Sequence, residues 1–271
     1  MRWDPSHQSE DLIDRRGEGG GAGLVWLLFW VLRSPLGWVG AVIVLVGWFV
    51  MQSLSEPPAD DPRIAFVGDV LDDVQATWAR ELPREGVTYE RAKLVVFDGT
   101  TPTGCGFGDA ATGPFYCPLD RSVYIDLSFY DELQRRLGAP GDFAQAYVIA
   151  HELGHHVQNL LGVSDRVHRA PQHLQQGAEG LSVRLELQAD CYAGVWAHDA
   201  RTRGRLELGD IEEAMTAAAA IGDDRLQSMS RGTVNPETFS HGTSAQRKAW
   251  FERGLARGEP RDCETFVGEL E

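Results

Sequence analysis

Residues 142–161 read DFAQAYVIAHELGHHVQNLL, a run with apolar side chains on every side of a helical wheel. A helix of that kind is buried rather than laid on a surface, and Asp142 stands where a capping residue would start it. Inside it is His151-Glu152-Leu153-Gly154-His155, the H-E-x-x-H pattern. Residues four apart share a helical face, so both imidazoles can reach one zinc ion while Glu152 projects beside the water that the ion would bind. The apolar neighbours Tyr147, Val148, Ile149, Ala150 and Leu153 speak against a solvated histidine pair, because polar groups on so apolar a helix need partners.

A catalytic zinc takes three protein ligands and keeps one position open, so a third donor has to come from elsewhere. Beyond a long loop from Gly162 to Gly177, which could serve as a lid, a second helix is expected from Glu179 to about Arg203. It carries Glu186 and Asp190 on one face, and then the small residues Ala193 and Gly194 that let helices approach closely. Glu186 is the expected third ligand. Asp190, one turn on, is suited to accept the free ring N–H of a ligating histidine. Glu179 and Asp190 are the alternative ligands, while Cys191 or His156 could close the fourth position of a purely structural site. A third helix starts near Asp210, with Glu213 completing a capping box, and a fourth is capped by Ser244. His241 and Arg247, at the entry to that last helix, have the right chemistry to stabilise a developing oxyanion. His168, His173 and His198 read as surface residues, and His156 and Gln158 are left outside the set of catalytic metal ligands.

Upstream, Phe66, Val67, Val70, Leu71, Val74, Trp78 and Leu82 form the stripe of an amphipathic helix. Ala92–Phe97 and Ser122–Leu127 read as strands flanking a cysteine loop. Cys105, Cys117, Cys191 and Cys263 all lie in the carboxy-terminal three quarters of the chain, an even number that fits an oxidising compartment. Proximity in sequence favours pairing Cys105 with Cys117 and leaves Cys191 for Cys263, one of three possible connectivities.

The chain opens with a polar stretch and a Gly-rich run, read over residues 1–23 as a flexible cytoplasmic arm. Residues 24–54 form a membrane anchor, with a span of about 36–54 that is close to the roughly 20 residues needed to cross a bilayer. The piece from Leu24 to Leu32 is too short to cross alone and reads as interfacial. Arg15, Arg16 and Arg33 precede the span, and Glu56, Asp60 and Asp61 follow it, which places the amino terminus in the cytoplasm. Residues 55–62 are a linker and 63–271 the main domain, expected outside the cytoplasm. The 25 basic against 40 acidic residues leave a net charge of −15, with no basic run to track phosphates, and this excludes a nucleic-acid partner. Oligomeric state is not encoded in any of these motifs.

HELGHHVQ (151–158), ELQADCYAG (186–194) and HGTSAQR (241–247), together with GPFYCP (113–118), resemble the bacterial neutral zinc metallopeptidase family over most of the chain from about residue 61. The trio is also similar to that of the heat-shock and CaaX-processing membrane zinc peptidases. The resemblance implies Zn²⁺ on His151, His155 and Glu186, Asp190 supporting a ligand, and His241 with Arg247 facing the oxyanion. Those more distant relatives embed the site among several membrane spans, and this chain has one apolar segment, so membrane-embedded substrates do not carry over. The expected fold is α+β and zincin-like, mainly helical with a small sheet, behind one amino-terminal transmembrane helix. A single-pass zinc endopeptidase acting on protein or peptide substrates is the expected function. Glu152 would be the general base, and Ser122–Leu127 an edge strand receiving the peptide by β-addition. The rival is a non-catalytic envelope binding protein with a structural zinc, which the presence of Glu152 disfavours.

Overall fold

The computed structural model describes residues 1–17, 29–33, 37–55 and 61–266, with side chains omitted over 48–55. Strand β1, Leu12–Asp14, pairs in parallel with β2, Lys93–Phe97, setting Leu12 opposite Leu94. The opening stretch, expected as a flexible arm, therefore belongs to the fold as far as Gly17. Trp3 packs edge-on to Phe66 with 5.4 Å between ring centroids. Its sequence carries little local signal, because a three-residue edge strand draws its stability from the strand it pairs with.

On its other side β2 pairs in parallel with β6, Ser122–Asp126, which pairs antiparallel with β5, Phe115–Cys117. The order is β1-β2-β6-β5, and β3, Thr100–Thr103, with β4, Gly106–Asp109, makes a separate hairpin. The expected edge strand Ser122–Leu127 is thus interior. The turn between Cys117 and Ser122 folds β6 back antiparallel along β5, β5 becomes the outer strand on that side, and the Cys105–Cys117 bridge ties it to the tip of the β3–β4 hairpin. Side chains alternate as the pleat requires: Leu94, Val96, Val123 and Ile125 enter the main core, while Val95, Phe97, Tyr124 and Cys117 cluster on the opposite face.

Helix α1, Gly37–Ser55, coincides with the expected span; among the described residues no helix is long and apolar enough to cross a membrane. Most of the Gly-rich run, the start of the Leu24–Leu32 piece and most of the 55–62 linker lie outside the described residues. Helix α2, Pro62–Glu81, is capped by Asp61, which accepts a bond from the Arg63 amide at 3.0 Å, and buries its apolar stripe from Phe66 to Trp78. Then come α3, Ser128–Arg135, and α4, Asp142–Leu160. The expected loop after α4 is largely helical instead, as α5, Val163–Arg169, and α6, Gln172–Gln175. Four longer helices follow: α7, Leu181–Thr202; α8, Asp210–Ala220; α9, Asp223–Arg231; and α10, Ser244–Arg257.

The central element is α4, packed on α7 and α8 and flanked by α2, β5 and β6. Gly154 makes this possible: a Cβ there would stand 3.0 Å from the Ala189 backbone of α7. Gly194 plays the same part toward α10, where a Cβ would overlap the Phe251 carbonyl, and the Cys191–Cys263 bridge ties α7 to the chain after α10. The helix starts differ from expectation. Gly141 precedes α4, and Asp142 is ion-paired to the Met1 ammonium at 2.7 Å. Glu213, rather than boxing with Asp210, accepts the Phe143 amide at 3.1 Å and so caps α4 from another helix. Thr243 with Gln246 forms the capping box of α10, freeing the Ser244 hydroxyl to bond Ala219 O at 2.6 Å.

Candidate metal centre and its cleft

The close approach of α4 and α7 sets Glu186 against both histidines of the H-E-x-x-H turn. Glu186 Oε2 is 3.2 Å from His151 Nε2, and its Oε1 is 3.4 Å from His155 Nε2. Each ring is fixed through its other nitrogen. His151 Nδ1 meets Asp190 Oδ1 at 2.8 Å, and His155 Nδ1 meets Gln158 Oε1 at 2.8 Å. Gln158 is anchored in turn, donating to Leu185 O at 2.6 Å and to Gln188 Oε1 at 3.1 Å. With both Nδ1 atoms held, both Nε2 atoms are left to converge on the carboxylate, and one ligand atom from each of the three residues lies within 4.8 Å of the others. Two imidazole nitrogens and one carboxylate oxygen are a donor set that suits zinc, and holding the distal nitrogen is how proteins orient such ligands. A second acidic group among the described residues, Asp142, Asp210 and Glu213, has Asp142 and Asp210 bonded to the Met1 ammonium.

Asp190 is fully buried and heavily subscribed. Besides His151 it accepts from the Tyr147 hydroxyl, from Arg247 Nε at 2.8 Å and from Arg247 Nη2 at 2.9 Å. Burial works to raise its pKa, but the Arg247 guanidinium and His151 hold it below the usual carboxylate range. For Glu186, burial is likewise outweighed, by His155 and His151, and the group sits well below its ordinary value. His151 is pushed up to about 10: burial opposes its charge, and Asp190 and Glu186 more than restore it. Cation-favouring acceptors thus surround the place where the two Nε2 atoms meet.

These groups open onto a cleft of about 760 Å³ whose wall includes Glu152, His241, Phe115, Tyr116 and Phe129. Glu152 is 8% exposed and borders the same cleft as the two histidines. His241 is half-exposed; its Nδ1 lies 3.2 Å from Asp223 Oδ1, which leaves Nε2 as the ring's free edge. Asp223 Oδ2 also accepts the amides of Ser240 and His241 at 2.7 and 2.6 Å, and its bond is the first cause of the raised His241 pKa. Arg247 borders the cleft but is 2% exposed and committed to Asp190, so it stands behind His151 rather than out in the open.

All seven expected site residues, His151, Glu152, His155, Glu186, Asp190, His241 and Arg247, come together in this region. Neither proposed closing ligand is available. Cys191 is in the disulfide with Cys263, and His156 points away, its ring nitrogens bonded to the Tyr116 hydroxyl and Glu90 O. Glu179 is likewise not among the grouped donors. Gln158 stands outside the grouped donors as expected, but sequence reasoning missed its hold on His155, as it did the roles of Tyr147 and Asp223. Gln158 could have been found as the amide one helical turn after His155, and Tyr147 as the phenol one turn before His151. Asp223 reaches His241 across a tertiary contact and carries no local signal.

Residues 50–266 match the model of a family described as "Putative neutral zinc metallopeptidase". The chain is 46% identical to uncharacterized protein YpfJ of Escherichia coli strain K12, over 98% of this chain and 99% of that protein. It is also 46% identical to uncharacterized protein Rv2575 of Mycobacterium tuberculosis strain H37Rv, over 75% of this chain and 70% of that protein. No solved structure matches the chain.

Proposed function

Because the chain belongs to this family of neutral zinc metallopeptidases, for which Zn²⁺ is the expected cofactor, we propose that it is a membrane-attached zinc endopeptidase of zincin-like architecture. The carrying observation is the gathering of one ligand atom each from His151, His155 and Glu186 within 4.8 Å, with both Nε2 atoms against the Glu186 carboxylate, beside Glu152 on an open cleft. His151, His155 and Glu186 would hold the zinc ion, which would supply Lewis acidity toward a peptide carbonyl and toward water. Glu152 takes a proton from the attacking water and passes it to the departing amine. Asp190 and Gln158 keep the two Nδ1 positions occupied, so both rings present Nε2 throughout. His241, whose protonated form Asp223 favours, donates from Nε2 to the carbonyl oxygen as its charge develops, and Arg247 adds its charge from behind His151.

The peptide lies along β5 rather than β6, because β5 is the outer strand and Phe115 and Tyr116 form part of the cleft wall. The experiment that tests the reading is Glu152→Gln on detergent-solubilised protein, with casein as substrate and a chelator control. Zinc content is expected to stay at one per chain while hydrolysis falls by about 10²–10⁴-fold. Full hydrolysis by the variant would remove Glu152 from the mechanism.

A further inference from the structure

From Gly19 to Ser55 the sequence holds one charged residue, Arg33. Where this segment is described, apolar side chains face outward: Phe29, Trp30 and Leu32, then Trp38, Val39, Val42, Ile43, Leu45 and Val46 along α1. The inward positions of α1 include the small residues Gly40 and Ala41. That is the reverse of a helix in water, whose outer arc is polar, and it commits the segment to hydrocarbon as its surroundings, with Trp38 near one end as at membrane interfaces.

The two flanks of the segment meet on the folded domain. Arg16 Nη1 donates to Asp61 Oδ2 at 2.6 Å, and these side chains are only 6% and 5% exposed. The Arg15 amide donates to Val96 O at 2.8 Å and the Gly17 amide to Asp98 Oδ2 at 3.1 Å, while Asp61 caps α2. A single crossing would set these flanks on opposite sides of a hydrocarbon layer about 30 Å thick. Neither the ion pair nor β1 could then exist. We propose that the apolar segment enters and leaves the lipid bilayer through one face, so that residues 1–17 and the zinc-site domain share one side of the membrane. Arg15 and Arg16, which gave the opposite orientation by charge, are engaged inside the fold: Arg15 Nη1 donates to Pro102 O at 3.3 Å, and Arg16 pairs with Asp14 as well as Asp61. The inference rests on the membrane attachment proposed above and is independent of catalysis.

The test uses the full-length chain in cells. All four native cysteines are paired, so Gln8→Cys and Ala249→Cys, both at exposed positions, each introduce one reactive thiol. Labelling with a membrane-impermeant maleimide is compared before and after the membrane is opened, and the membranes are washed with alkaline carbonate. The expected result is a chain that stays in the membrane pellet with both thiols labelled at the same stage. One thiol labelled before opening and the other only afterwards would overturn the shared side and leave attachment standing. Release into the carbonate supernatant would overturn lipid as the occupant, and the attachment reading with it; a dimer on sizing would then assign the apolar face to a second copy of the chain.

Discussion

Replacing Asp190 by alanine removes the acceptor shared by His151, Tyr147 and two nitrogens of Arg247. The guanidinium left behind is 2% exposed and would keep no carboxylate partner at bonding distance. Breaking one side of a buried ion pair costs about 3–5 kcal/mol, and each orphaned buried donor adds about 1 kcal/mol or more. The expected loss is therefore on the order of 5–7 kcal/mol out of a total stability of about 5–15 kcal/mol. At about 2–4 °C per kcal/mol for a domain of this size, the Tm should fall by about 10–28 °C. Removing both charges together, in Asp190→Leu/Arg247→Met, leaves no uncompensated charge, and the double variant should be more stable than either single one. The assay is urea unfolding in detergent, disulfides intact and chelator present, so that metal binding does not enter the balance. A coupling energy of at least about 2 kcal/mol is expected. Additive single effects would refute the argument, because they would mean that the two groups do not compensate each other.

Three further outcomes follow from particular contacts. Opening the Cys191–Cys263 bridge, which closes a span of 72 residues, should cost about 4 kcal/mol, against about 3 for the 12-residue Cys105–Cys117 span, measured by urea unfolding of the two double-serine variants. Equal losses would show that loop entropy is not the controlling difference. Asp223→Asn removes the charge that favours protonated His241, so the His241 pKa should drop and the alkaline limb of the kcat/KM profile should move to lower pH, with zinc content unchanged. An unmoved limb would mean that His241 does not act as a cation. Gly194→Ala drives a methyl into the Phe251 carbonyl and should cost about 1–3 kcal/mol by overpacking, measured by urea unfolding; a neutral Gly194→Ala would put the close approach of α7 and α10 in doubt.

Elements with a strong period of their own were legible in the sequence. The α2 stripe from Phe66 to Trp78 is buried as its spacing predicts, and α4 is enclosed as its uniform apolarity requires. Helical spacing likewise joined His151 to His155 and Glu186 to Asp190, because residues four apart share a face whatever the rest of the molecule does. Both disulfide pairings follow from proximity along the chain. Contacts between elements left no such trace. Glu213 caps α4 rather than its own helix, and Asp223 orients His241 across a turn.

The order of strands was beyond a local reading, since any alternating run can be an edge or a centre until its neighbours are placed. This moved the expected peptide-binding edge from β6 to β5. The amino-terminal residues show the same division at its sharpest. Their sequence by itself determined that residues 1–17 are polar and that an apolar segment follows them. Only the tertiary structure decided that Leu12–Asp14 joins the sheet and that Arg16 meets Asp61, because a short strand and a single ion pair exist by virtue of partners more than forty residues away.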